Sequence, residues 1–109
     1  MMTEMDVAKI MMEIPKHFNP EMAKGVSGTI QCLFSGSQAS NWVIDIDDQA
    51  CTVEEGRADD PDLTIKADGE DGVKILMGEM DPMRAYMLGK VKVLGDLSFG
   101  MKLAKLFTA

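Results

Sequence analysis

The chain is poor in the residues that carry most enzyme chemistry. Among its 109 residues there are one histidine, two cysteines, one tryptophan and one tyrosine. The lone imidazole, His17, lies between Pro15 and Pro20 with no acid or nucleophile at a motif spacing, and it reads as a surface residue. Cys32 and Cys51 are too few for a disulfide framework and, without a second histidine, for a usual zinc set. Both fall in strand-like runs and read as reduced core thiols of a cytoplasmic protein. G-x-S-x-G, phosphate-loop, H-E-x-x-H and C-x-x-C patterns are missing. No apolar run approaches the ~20 residues that span a bilayer. The start, MMTEMDVAK, lacks the basic region of a signal peptide, and the end is not a peroxisomal S-K-L address. Basic residues are also scarce. Eleven Lys and Arg against eighteen Asp and Glu leave a net charge of −7, which argues against a nucleic-acid partner. These absences point away from catalysis, a metal or a cofactor.

What is present is a single domain over residues 1–109, 46% hydrophobic, long enough to bury a core without staples. The acidic clusters Asp45-Asp47-Asp48 and Asp59-Asp60-Asp62 lack the spacing of a calcium loop and read as turn and edge residues. Charge is uneven. Residues 1–83 hold six basic and seventeen acidic side chains (−11), whereas residues 84–109 hold five basic and one acidic (+4). Methionine is abundant, with eleven in all. Met77, Met80, Met83, Met87 and Met101 fall within 25 residues. Because a thioether re-packs around variable guests, this clustering predicts an adaptable apolar cavity walled by methionine.

Periodicity and punctuation predict the elements. A helix is expected over residues 3–13, capped by Thr3-x-x-Asp6 and ended by Pro15, followed by a short turn from Asn19-Pro20 to Gly25. Three strands follow over 26–34, 42–46 and 50–54. Ile30, Cys32, Phe34, Trp42, Ile44, Ile46, Cys51 and Val53 face inward, and the short connections make neighbours antiparallel. After a polar loop, a fourth strand over 62–67 turns Leu63, Ile65 and Ala67 inward. Asp68-x-x-Asp71 then caps a helix closed by Gly78, and Asp81-Pro82 starts a second closed by Gly89. The order is helix, four strands, two helices, strand, helix. That is an α+β arrangement: an antiparallel meander, then a helical crossover that lets the last strand join the sheet in either direction.

The chain is organised around residues 88–107, LGKVKVLGDLSFGMKLAKLF. Lys90 and Lys92 alternate with Val91 and Val93 as in a strand with one wet face. Asp96 is placed to cap a helix running to Phe107 whose polar strip holds only Ser98, Lys102 and Lys105. That apolar circumference is wider than one sheet contact uses. Either the helix is sunk in the core, or one flank lies on the sheet while another lines a cavity or partner groove. Gly100, at a mid-helix position that disfavours glycine by ~1 kcal/mol, leans toward the second. Cationic and apolar residues share this end, which suits weak, reversible contact of Lys102 and Lys105 with an anionic membrane surface.

Phe18-Asn19-Pro20, Trp42-x-x-Asp45, Val53-x-x-Gly56, Asp60-Pro61-Asp62-Leu63-Thr64-Ile65, Leu76-x-Gly78 and Gly89-Lys90-Val91-Lys92-Val93-x-Gly95-Asp96 follow in this order. With the closing Lys102-Leu103-x-x-Leu106-Phe107, they resemble the sterol carrier protein, or non-specific lipid-transfer, family over residues 18–107. The resemblance implies a five-stranded, mostly antiparallel sheet covered on one face by helices, with an apolar tunnel between. It implies binding of fatty acids, fatty acyl-CoA, sterols or phospholipids and their carriage between membranes or enzymes without catalysis. It implies that Met77, Met80, Met83, Met87, Phe99, Leu103, Leu106 and Phe107 line the tunnel. An accessory domain offering the same groove to a partner protein, or to a second copy, is the alternative.

Overall fold

The computed structural model of the chain describes residues 6–103 and 106–107. Its elements are α1 (Val7–Glu13), a 3-10 turn (Ile14–His17), β1 (Ser27–Ser35), β2 (Ser40–Asp47), β3 (Ala50–Glu55) and β4 (Leu63–Asp68). There follow α2 (Gly69–Leu76), α3 (Pro82–Met87), β5 (Val91–Gly95) and α4 (Leu97–Leu103). Alternation within the strands gives the sheet one dry face. Ile30, Cys32, Phe34, Trp42, Ile44, Ile46, Leu63, Ile65, Ala67 and Val91 are buried on it, with Cys51, Val53 and Val93 half-buried beside them. The intervening Asp45, Lys66 and Lys92 are exposed. The helices lie against the dry face, so the structure is the α+β sheet covered on one side that the sequence predicts.

Strand order is β3-β2-β1-β4-β5. Pairs β1–β2, β2–β3 and β4–β5 are antiparallel, and β1–β4 is parallel, with Ile30 opposite Leu63 and Phe34 opposite Ala67. The expected antiparallel meander therefore stops at β3, and β4 lies beside β1, parallel to it, instead of pairing with β3. β5 is a plain antiparallel neighbour of β4, and the crossing is made earlier by the loop over residues 56–62. A parallel partner is out of reach of a tight turn, so this loop passes over the outer face of the sheet from edge strand β3 to β4.

Gln31 holds the loop there. Its side chain leaves β1 on the outer face yet is only 4% exposed. Nε2 donates to the carbonyls of Trp42 and Gly56 at 3.0 Å each, and Oε1 accepts from the N–H of Ala58 at 2.6 Å. A buried amide is tolerable only when its donors and acceptor are used, as here.

The N-terminal segment differs from expectation in one detail. Thr3 lies outside the described residues, and Asp6 is itself the cap of α1, its carboxylate accepting from the N–H of Lys9 at 3.1 Å. α1 ends at Glu13, as Pro15 predicts, and Pro15 itself lies in the first turn of the 3-10 segment that follows, where a missing N–H costs nothing. Phe18 and Asn19 then grip the other terminus. The N–H of Asn19 donates to the carbonyl of Leu106 at 2.7 Å, and the rings of Phe18 and Phe107 lie 5.8 Å apart at 50°. The last helix is regular through Leu103. Residues 104–105 lie outside the described set, and Leu106 and Phe107 form a turn rather than helix.

Burial pushes the Cys32 thiol up to about 12. Burial first, and then the charge of Asp45, push Cys51 up to about 11. Both exceed the ordinary value of 9.0, so the folded thiols keep protons that unfolded ones release. The stability they confer is whole below pH 9.0 and is lost as pH rises through the folded values. Urea midpoints should fall across that window, and the fall should be shallower in Cys32→Ala. For the loop anchor, Gln31→Ala strips partners from Gly56 and Ala58. It should cost roughly 1–3 kcal/mol in urea unfolding, whereas an unchanged midpoint would mean the loop holds itself.

Candidate functional site

Where the sheet ends at β4 and β5, its apolar face is left partly uncovered. α2 and α3 stand to one side and α4 to the other, and the gap between them is a cavity of about 410 Å³. That lies within the ~300–1,000 Å³ of typical small-molecule sites. Its floor is Leu63 and Ile65 of β4 with Val91 and Val93 of β5. One wall is Ile75 and Leu76 of α2 with Pro82, Met83 and Tyr86 of α3. Facing them are Leu97, Gly100, Met101 and Leu103 of α4. The Tyr86 hydroxyl is the one polar side-chain group among them, and Tyr86 is 56% exposed at the rim. The lining contains no charge, so the site can hold an apolar guest by burial alone.

Local sequence positions these walls. The Asp81 carboxylate accepts from the N–H of Met83 at 3.0 Å, and Pro82 follows at the first helical position, so α3 starts abruptly after Gly78 has ended the previous turn. α4 is set by a junction around Asp62. The Asp62 N–H donates to the carbonyl of Thr29 at 2.9 Å, and its carboxylate accepts from the N–H of Thr29 at 2.8 Å. Its own carbonyl accepts from the N–H of Asp96 at 2.9 Å. Gly95 makes this close approach possible, because a side chain there would run into the Asp62 carbonyl and its φ of +109° suits only glycine. Asp96 then caps α4, accepting from the N–H of Phe99 at 3.1 Å. The wide apolar circumference of α4 now divides. Phe99 seats its ring on Gly28 of β1, where an added Cβ would come within 2.6 Å of it. The opposite flank, through Leu97, Gly100 and Met101, faces the cavity.

Of the eight residues expected to line a tunnel, Met83 and Leu103 are on the cavity wall. Met77 and Met80 are half-buried against the core between α2 and α3, outside the lining. Met87 is 80% exposed. Phe99, Leu106 and Phe107 are buried in solid packing on the far flank of α4 and around Phe18. The expectation of walls made mainly of methionine is corrected accordingly. Met83 and Met101 are the methionines of the lining, and the rest is chiefly branched aliphatic. The floor residues were readable from the inward parity of strands four and five, and Gly100 carried the signal for α4. Lys102 is exposed on α4, and Lys105 lies outside the described residues.

A second depression, of about 460 Å³, lies on the outer face beneath the crossing loop. Asp45, Glu54, Glu55, Asp59 and Asp60 surround it, and it is open and polar. Among the described residues no three His, Cys, Asp or Glu converge as metal ligands would. Several acids of these clusters hold backbone or hydroxyl partners instead: Asp45 accepts from Thr29 Oγ1 at 3.0 Å and Asp48 from the N–H of Gly25 at 2.7 Å. His17 is half-buried at the end of the 3-10 turn.

Comparison with known proteins agrees with this architecture. The profile of the SCP-2 sterol transfer family matches residues 10–108. Hydroxysteroid dehydrogenase-like protein 2 of Xenopus laevis is 32% identical over 94 residues, 85% of this chain and 22% of that protein. The chain thus spans about a fifth of the length of such curated relatives. Sterol carrier protein 2-like 2 of Aedes aegypti superposes with a TM-score of 0.72 at 25% identity, covering 91% of this chain and 94% of that one. Sterol carrier protein 2 of Aedes aegypti, solved in complex with palmitate, superposes with a TM-score of 0.70 at 18% identity, covering 94% of each. With its sheet, its cavity and a family match over almost its whole length, the chain belongs to the SCP-2 sterol transfer family.

Proposed function

We propose that the chain binds the acyl tail of a fatty acid, fatty acyl-CoA or similar lipid in the cavity between α3 and α4 and carries it between membranes or enzymes, without catalysis. The observation that carries this reading is the charge-free lining of the 410 Å³ cavity, open at a rim of exposed apolar side chains. Palmitate bound by a structural relative supports it. Burial of an acyl chain is worth ~0.8 kcal/mol per methylene, so about twelve methylenes give roughly 10 kcal/mol with no polar contact. A bilayer offers the tail nearly the same environment, so transfer is close to thermoneutral and the carrier's work is to lower the aqueous barrier. A cytoplasmic setting belongs to the same proposal, supported by the two free core thiols. The share of a longer relative that this chain represents favours a second reading, an accessory domain serving a larger enzyme.

The test is a fluorescent fatty acid titrated into the purified chain. Trp42 is buried on β2 and is not part of the lining, so an extrinsic probe reports better than its emission. In Gly100→Leu, the new Cβ meets Leu63 methyls at 3.4 and 3.6 Å, an ordinary contact, and the rest of the side chain occupies the cavity. Displacing about three methylenes at ~0.8 kcal/mol each should weaken binding about 50-fold. The helix itself should gain ~0.8 kcal/mol from the loss of glycine. Undiminished affinity in this folded variant would place the lipid elsewhere. No binding by the unaltered chain, with a dimer or complex on sizing, would favour the accessory-domain reading.

A further inference from the structure

The charge-free lining of the cavity includes two thioethers, one on each facing wall. Met83 of α3 and Met101 of α4 both line the space, and at 62% and 71% exposure both also meet water. The other described methionines are placed differently. Met11 is sealed in the core, Met77 and Met80 are half-buried outside the lining, and Met12, Met22 and Met87 are exposed outside it. A thioether is the one group of the lining that a mild peroxide converts. The two thiols do not compete for such an oxidant. Burial pushes Cys32 up to about 12 and Cys51 up to about 11, so neither offers a thiolate at neutral pH. A methionine sulfoxide is polar and strongly hydrated. Turned inward, two of them would face an apolar guest with the Tyr86 hydroxyl as the one side-chain donor of the lining. Turned outward to keep its water, a sulfoxide takes its side chain off the wall, and the guest loses that contact. Both arrangements weaken the bound state. The same change at Met12, Met22 or Met87 alters nothing in the lining.

We propose that Met83 and Met101 are an oxidation site through which a peroxide empties the cavity. In each, a lone pair of the sulfur attacks one peroxide oxygen, the O–O bond breaks and an S–O bond forms. The second oxygen leaves as water, and the sulfur has given up two electrons to the peroxide. A sulfoxide reductase driven by a dithiol reverses the change, releasing water and leaving a disulfide. This rests on the lipid-carrier reading, and the experiment separates the two. The full chain, untreated and treated with hydrogen peroxide, is titrated with the fluorescent fatty acid, and peptide masses report which methionines have gained oxygen. Met83→Leu/Met101→Leu and Met12→Leu/Met22→Leu/Met87→Leu are treated alike, each compared with its own untreated sample. Peroxide should weaken binding at least about tenfold in the unaltered chain and in the triple variant, and less than about twofold in Met83→Leu/Met101→Leu. Sulfoxide reductases with dithiothreitol should restore the affinity. Met11 is the check on folding, because it stays unoxidised while the core is closed, and the urea midpoint should hold. Undiminished affinity with oxygen on Met83 and Met101 overturns the site and leaves the carrier reading standing. An equal loss in Met83→Leu/Met101→Leu, or a loss that comes with oxidised Met11 and a lowered midpoint, overturns it as well. Failure of the untreated chain to bind removes the carrier reading and the oxidation site with it.

Discussion

The structure depends on a mismatch of area. A five-stranded sheet presents one apolar face, and the helices available to cover it are short, six to eight residues each. Over β1 and β2 the inward residues are buried, and Val7, Met11 and Ile14 of the N-terminal segment are sealed from water. Over β4 and β5 the cover is incomplete, because α3 and α4 reach the sheet from opposite sides and do not meet. Apolar surface left open in this way is unfavourable in water, and an apolar guest relieves it. The cavity is thus a consequence of how the cover falls short rather than of any special residue within it.

Two junctions keep that gap from collapsing. The Asp62–Gly95–Asp96 junction joins the start of β4, the end of β5 and the first turn of α4, so the helix leaves the sheet edge at a fixed angle. On the other flank, Phe99 rests on the bare backbone of Gly28, and Leu106 and Phe107 are held by Asn19 and Phe18. α4 is anchored along its far side and at both ends, which leaves its near side free to be a wall. The same economy appears in α2, where Gly72 lets the helix lie directly on the Phe34 ring.

Charge reinforces the division of labour between faces. Acids gather on the outer face and at helix starts, where they keep the sheet edge soluble, satisfy backbone donors and cap Asp68, Asp81 and Asp96 turns. In residues 84–109 basic side chains outnumber acidic ones, five to one.

Much of this was written in local pattern. Alternation alone assigned the inward residues of every strand, and the caps at Asp68, Asp81 and Asp96, with glycines closing the turns, set the helix starts. The run from Phe18 to Phe107 carried the family. These features depend on interactions within a strand or a single helical turn, so sequence by itself determined them. Tertiary structure alone decided that β4 lies parallel to β1, that the loop under Gln31 makes the crossing, and which residues surround empty space. A helical wheel reports that α4 is apolar on most sides, but Phe99 and Met101 look alike on it. One meets Gly28 and the other meets a void, because elements far apart in the chain either close against a flank or leave it open.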